Sequence, residues 1–170
     1  MKRKSMIVGH TRSIKIFSLA ILISLMAALM YVKISRATPG SGVTVQLLAS
    51  GSLSEPVEVK IKSNSKINID VSQIQTYKIT IPPGAFTGWH QHGGPHLIVV
   101  AAGTVTYYEG DDPTCTGVNY AAGSSILDAG FFSHYVRNEG TVDAVTYVTQ
   151  LLPAGGVFRI DVPAPGNCDF

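Results

Sequence analysis

His90, His92 and His96 fall within seven residues of one another in GWHQHGGPHLIVVAAG, residues 88–103 of a 170-residue chain that has five histidines in all. Imidazole changes charge closest to neutral pH and is the commonest metal-binding side chain, so such a cluster is either a solvated patch or a site. On extended backbone alternate side chains share a face, so His90 and His92, at i and i+2, project the same way. Two imidazoles side by side are half of a metal site. His96 has the same parity, but Gly93, Gly94 and Pro95 intervene and call for a bend. Of the other two histidines, His10 belongs to a basic leader, and His134 lies in GSSILDAGFFSHYVRN, residues 123–138. A lone histidine in a strand is ordinarily a hydrogen-bonded surface or core residue. Four of them in two tight segments point to a shared ligand instead.

The elements that must position these residues are strands. VEVKIK (57–62), INIDV (67–71) and YKITI (77–81) alternate apolar and polar residues, the period of a half-buried strand. The runs 97–108, 144–152 and 157–162 are rich in β-branched and aromatic residues. Turn signals such as PPG, EGDDP, NEG and PAGG separate them. Beyond residue 38 no apolar period of 3.6 lasts long enough for a helix. The reading is therefore all-β, an antiparallel sandwich or barrel in one domain over residues 38–170. Residues 38–56, rich in Gly, Ser and Thr, read as a loose arm or an added edge strand.

Charge divides the chain at the same boundary. Seven of the thirteen Lys and Arg residues precede position 38, whereas all eleven acidic residues follow it. The body carries six basic against eleven acidic side chains, a net charge near −5. Nucleic acid is excluded as a partner, because phosphate binding needs clustered cations. Residues 16–32, IFSLAILISLMAALMYV, are almost wholly apolar, and Ser35 and Ala37 form a small-x-small pattern with the cut after Ala37. Residues 1–37 read as an export signal, with an uncleaved N-terminal membrane anchor as the alternative. Either way the body lies outside the cytoplasm, periplasmic or secreted, and touches a membrane only through 16–32 if these are retained.

Cys115 and Cys168 are the two cysteines. An even pair in an exported chain is expected to form a disulfide, here tying down a Pro/Gly-rich tail; two free thiols or a redox pair is the other reading.

The two histidine segments resemble the signatures of the cupin superfamily. In the first, Gly-x5-His-x-His-x3-Glu-x6-Gly, the chain supplies Gly84, His90, His92 and Gly103 in register, with His96 in the place of the glutamate. In the second, Gly-x5-Pro-x-Gly-x2-His-x3-Asn, Gly123, His134 and Asn138 match, Ala129 stands where Pro is expected, and Gly130 comes one place early. GWHQHGGP followed by EGDDPTC is similar, more narrowly, to small exported single-domain cupins of bacteria. The resemblance implies an antiparallel jelly-roll β-barrel holding one divalent transition metal. Carried over by position, the ligands are His90, His92 and His134, the last reaching across the barrel, with His96 either a fourth ligand or turned outward. A shell of nitrogens favours Fe, Zn, Cu or Ni over the harder Mn, and binding is expected to weaken as pH falls toward about 6, where a free imidazole takes up its proton.

Trp89, Phe86, Phe131, Phe132, Tyr107 and Tyr135 flank the two motifs, and some must alternate inward as cavity wall or core. No acid–base pair stands out. Asp128 could serve as a base or a group behind the ligands, although its neighbours suggest a turn at the rim. Three function classes stay open: a metal-dependent enzyme of oxygenase or isomerase type on a small molecule, a non-catalytic module binding a small ligand or metal, and a structural barrel without metal. The small-molecule partner is unidentified, and a homodimer remains an open option. Intact-mass measurement of protein recovered from its native host is expected to give an N-terminus at Thr38. Recovery of the full-length chain in the membrane fraction would show an anchor instead.

Overall fold

The computed structural model describes residues 37–62 and 66–170. The expected leader lies outside the described residues except for Ala37. Ten strands follow in chain order: β1 (Thr44–Lys62), β2 (Lys66–Ile81), β3 (His90–Gln91), β4 (His96–Ala102), β5 (Thr104–Glu109), β6 (Val118–Ala121), β7 (Ser125–Asp128), β8 (His134–Arg137), β9 (Ala144–Leu152) and β10 (Ile160–Asp161). They build two five-stranded sheets, the first ordered β1-β2-β9-β4-β7 and the second β10-β3-β8-β5-β6. All neighbours pair antiparallel. The fold is the expected all-β jelly roll.

Alternation decides which side chains enter the barrel. Along β9, Ala144, Thr146, Val148, Gln150 and Leu152 are buried while the residues between them are not, and β2 starts the same way with Ile67, Ile69 and Val71. Ile81, Val100, Val105, Ile126 and Ala144 pack one end of the barrel. Ile67, Ile69 and Val71 form a second cluster under the β1–β2 hairpin with Leu53, Val59 and Ile61. Burying each of these aliphatic side chains is worth about 1.5–3 kcal/mol.

The structure redraws several expected boundaries. The predicted strands 67–71 and 77–81 are one strand, because Gln73–Thr76 between them pairs with β9 in unbroken register and with β1 between two register shifts. The run 97–108 splits at Gly103, which has φ +67° and whose Cβ would stand 2.6 Å from the Asp143 carbonyl oxygen. Only glycine accepts that turn, and it sends β4 to the first sheet and β5 to the second. Of the run 157–162 only Ile160 and Asp161 pair, with Gln91 and His90. The arm resolves as an edge strand: β1 pairs with β2 from Thr44 to Lys62. Ahead of it, Ser41 and Phe86 exchange backbone hydrogen bonds, and the Trp89 amide donates to Thr38 Oγ1 at 2.8 Å.

Cys115 and Cys168 form a disulfide. It holds the tail beside a third cluster, in which Trp89, Tyr108 and Tyr135 are buried. The Phe170 ring lies 4.7 Å from that of Tyr135 and 6.5 Å from that of Trp89, nearly parallel to the latter, with the Arg137 guanidinium over it at 4.8 Å. With the half-cystines separated by 53 positions in sequence, loop closure in the unfolded chain corresponds to about 4 kcal/mol in the chain-entropy picture. Replacing both cysteines by serine is expected to lower the unfolding free energy by about 2–4 kcal/mol and to shift the emission of Trp89, the sole tryptophan, as Phe170 leaves it. Unchanged stability and emission would show that the tail is held without the bond.

Candidate metal centre

The bend at Gly93–Gly94–Pro95 carries the chain from β3 in one sheet to β4 in the other. His90 and His134 are direct cross-strand partners in the second sheet, so His134 is the neighbour of His90 and does not reach across the barrel as the resemblance implied. His96 is what faces them: in the first sheet it pairs with Asp128 on one side and Gln150 on the other. The turn before β8 needs glycine at 130, where φ is +90° and a Cβ would meet the Gly94 carbonyl oxygen at 2.3 Å. Gly130 in turn accepts the His92 amide at 2.7 Å. The glycine that stands one place early in the second signature thus fixes the segment that carries His92.

All four histidines are buried. His90 Nδ1 meets the Gly88 carbonyl oxygen at 2.8 Å, His92 Nδ1 that of Phe158 at 2.6 Å, and His134 Nδ1 that of Phe132 at 3.2 Å. A carbonyl oxygen only accepts, so each Nδ1 carries the proton and each neutral ring presents a lone pair at Nε2. Histidine ligands of metals are commonly oriented in this way. The Nε2 atoms of His92 and His134 stand 3.2 Å apart, and His90, His92 and His134 bring ligand atoms within 4.8 Å of one another. This three-histidine cluster could hold a metal ion.

His96 points inward, not outward. Its ring lies on that of His92, with centroids 3.5 Å apart and planes inclined by 35°, and its Nε2 has no hydrogen-bond partner. It belongs to a second grouping, with His92 and Asp128, whose ligand atoms also lie within 4.8 Å. Asp128 is not at a rim turn: it ends β7 with its carboxylate buried, Oδ1 accepting the Gly130 amide at 2.8 Å. Oδ2 is 3.5 Å from Nε2 of both His92 and His134 and otherwise unpartnered.

Burial is the main reason why the imidazoles stay neutral. It pushes His92 and His134 down to about 4 and His96 to about 2, and it holds His90 far below the usual imidazole range. Positive neighbours add to the effect, Arg159 among them for His90, His92 and His134. Burial raises the Asp128 carboxyl, with His92 and the Gly130 amide acting the other way. The 3.5 Å contacts between imidazole and carboxylate are therefore not ion pairs at neutral pH.

A cavity of about 230 Å³ opens on these rings. Its walls are mainly aliphatic, from Val43, Ile79, Ile81, Ile98, Val105 and Val148, with Phe158 and Tyr107. The aromatic lining expected from the motif neighbours reduces to Tyr107, whose ring stacks on His134 at 5.1 Å. Trp89, Tyr135 and Phe86 pack in the cluster under the tail, and Phe131 and Phe132 are exposed. Sequence reasoning missed Gln150, Phe158 and Arg159. Arg159 is the one cationic side chain in the lining among the described residues, held by the Thr87 carbonyl oxygen and by Asp161 at 2.6 Å each.

Neutral buried imidazoles make the metal-free protein acid-sensitive. Because the folded values lie below the ordinary 6.5, the unfolded chain takes up protons first as pH falls. Stability then declines from about pH 6.5 until the folded rings titrate near 4, by up to about 1.4 kcal/mol per pH unit for each ring. Asp128, shifted upward, opposes this, but one carboxyl does not offset four imidazoles. Urea unfolding of the metal-free, disulfide-intact protein is expected to show a loss of at least about 2 kcal/mol between pH 7 and about 5.5. A flat profile would contradict the neutral, buried assignment. The expected weakening near pH about 6 belongs to a free imidazole, whereas burial holds these rings below that value.

Comparison with known proteins agrees with this architecture. Residues 77–149 match the family model described as Cupin domain. No match was found among curated proteins. Among solved structures, a cupin-like protein from Thermotoga maritima is 20% identical over 78% of this chain and 89% of its own, with a TM-score of 0.51. A cupin superfamily protein from Desulfitobacterium hafniense is 12% identical over 66% of this chain and 79% of its own, with a TM-score of 0.45. An oxalate decarboxylase from Bacillus subtilis is 21% identical over 52% of this chain and 23% of its own, also at 0.45. At these identities the likeness is one of fold. The matched segment is thus a cupin domain over residues 77–149, on a jelly roll that shares its fold with the Thermotoga maritima protein.

Proposed function

We propose that this protein is an extracytoplasmic metalloprotein in which His90, His92 and His134 hold one divalent transition metal at the floor of the cavity, and that it acts as an enzyme on a small molecule. The observation that carries the reading is the convergence of lone-pair nitrogens beside open space. Each Nδ1–H is fixed by a backbone carbonyl, which leaves Nε2 aimed at a common point. Ligand nitrogens that line one wall of an open cavity leave coordination positions on its open side for substrate, as a catalytic centre requires. Imidazole donors suit Fe, Zn, Cu or Ni better than Mn.

A divalent ion held there supplies Lewis acidity and, if redox-active, an electron. The chain supplies the rest. The aliphatic wall excludes water and selects an apolar body. Arg159, at the same cavity, favours an anionic end on the substrate; its Nε is already engaged by Asp161, and its Nη1 makes no hydrogen bond among the described residues. A carboxylate or enolate with a branched aliphatic or small aromatic body fits both features. The Cys115–Cys168 disulfide and the basic, apolar leader support a location outside the cytoplasm.

Elemental analysis of the purified protein is expected to find about one equivalent of a transition metal. The His92→Ala variant is expected to fall below about a tenth of an equivalent while keeping its strand circular dichroism, since the apolar clusters at both ends of the barrel do not include that ring. Full metal content in His92→Ala, or none in the parent after incubation with Fe(II), Zn, Cu(II) or Ni, would leave a barrel whose histidines bind no metal.

A further inference from the structure

The glutamate of the first signature is replaced by His96, which takes a negative charge out of the site. The structure shows a carboxylate one strand away. Asp128 on β7 is the direct cross-strand partner of His96 on β4, and both side chains are buried inside the barrel. Asp128 Oδ1 is occupied by the Gly130 amide, whereas Oδ2 has no hydrogen-bond partner and its side chain is only 3% exposed.

The surroundings of Oδ2 are specific. Its nearest polar neighbours are Nε2 of His92 and Nε2 of His134, each at 3.5 Å, and these two stand 3.2 Å from one another. Both rings spend their N–H on backbone carbonyls, so neither can donate to the carboxylate while neutral. With the carboxyl ionised, three atoms that only accept face each other in a nearly equilateral triangle inside an apolar barrel, an arrangement that repels unless a cation or a proton sits among them. Adjacent ligand atoms at roughly 2.0–2.2 Å from a metal stand about 2.8–3.6 Å apart, from octahedral to tetrahedral geometry, and the separations of 3.2 and 3.5 Å lie in that range.

Resting on the metal reading above, we infer that Asp128 is the fourth protein ligand of the centre, in the role left vacant where His96 replaces glutamate. The carboxylate enters from β7 instead of β4 and returns one negative charge to the shell. His96, like Asp128, stands outside the grouping of His90, His92 and His134 and joins the second grouping with His92. Its ring leans on that of His92 at a centroid distance of 3.5 Å and a tilt of 35°, filling the space beside that ligand, and so serves as a packing and positioning residue. Gly130 completes the device by anchoring Oδ1 through its amide and His92 through its carbonyl.

Cobalt(II) is the probe, because its visible spectrum reports coordination number and donor type without turnover. Asp128→Asn keeps the shape and a carbonyl oxygen for the Gly130 amide while removing the charge. It is expected to weaken Co(II) and Zn(II) binding by at least about 100-fold, since loss even of an indirect partner costs about 10–100-fold, and to change the Co(II) d–d bands. His96→Asn is expected to cost about 10-fold or less in affinity and to leave the bands unchanged, the mark of a residue outside the shell. Asp128→Cys adds a test that does not rely on loss: a thiolate-to-cobalt charge-transfer band in the near ultraviolet appears only if side chain 128 reaches the metal, and His96→Cys should give none. Parent-like affinity and spectrum in Asp128→Asn, no band in Asp128→Cys, or the losses falling on His96→Asn would each overturn the assignment while the three-histidine centre stands. A parent protein that binds neither ion would overturn both.

Discussion

A buried imidazole must give its N–H to something, and in this barrel the receivers are the backbone oxygens of Gly88, Phe132 and Phe158. That requirement shapes the second sheet. Gly88 and Phe132 each precede their histidine by two residues, just outside β3 and β8, where the chain turns back on itself. Phe158 comes from 66 residues away, in a stretch that stays out of the ladder until Ile160. Had 157–159 paired as the β-rich sequence suggests, this carbonyl would be aligned with a neighbouring strand instead of with His92. The shortness of β3, β8 and β10 is the structural counterpart of three oriented rings.

The two sheets then contribute different chemistry to one space. The second sheet brings lone-pair nitrogens, and the first brings a carboxylate, a fourth imidazole and the amide of Gln150, whose Nε2 reaches the same Phe158 carbonyl that holds His92. Aliphatic walls keep every one of these groups neutral or reluctant to ionise, through desolvation rather than through opposite charges. A positive ion answers what such a set lacks: it stabilises the carboxylate, accepts the lone pairs and leaves the rings unprotonated. Arg159 lies on the same cavity, too far committed to Asp161 and Thr87 to neutralise Asp128, yet free on one side.

Much of this was legible in the sequence because it depends on local rules. Alternation in β9 and in the two ends of β2 marks strands whatever the fold, and the i, i+2 pair of His90 and His92 puts two rings on one face. The glycines at 84, 103 and 123 match a spacing that the fold repeats. What escaped depends on contacts between distant segments. β3 and β10 are two residues long, and no periodicity exists over two residues. That His134 neighbours His90 while His96 opposes them follows from which sheet each strand joins, a decision made at Gly103 and at Gly93–Gly94–Pro95. Asp128 looked like a turn residue because a turn does follow it, at Gly130. Its burial becomes visible only when β7 is laid beside β4. Phe158 and Arg159 sit in a run that reads as an ordinary strand.

On the proposed reading, the tail links the centre to the redox state of its surroundings. Phe158 and Arg159 lie at the start of a segment tied in three places: β10 against β3, Val162 between Trp89 and Thr38, and Cys168 to Cys115. The first two ties are a handful of backbone hydrogen bonds, each worth about 1 kcal/mol net. The third is covalent and forms where thiols are oxidised. A reduced chain would keep the barrel, because its apolar clusters at both ends are built mainly from β1, β2, β4, β5, β7 and β9. It would hold the oxygen that orients His92 less firmly, and with it one corner of the centre. Export, disulfide formation and a well-ordered metal shell therefore belong to one sequence of events on the proposed reading: the site reaches its final geometry only where the tail can be locked.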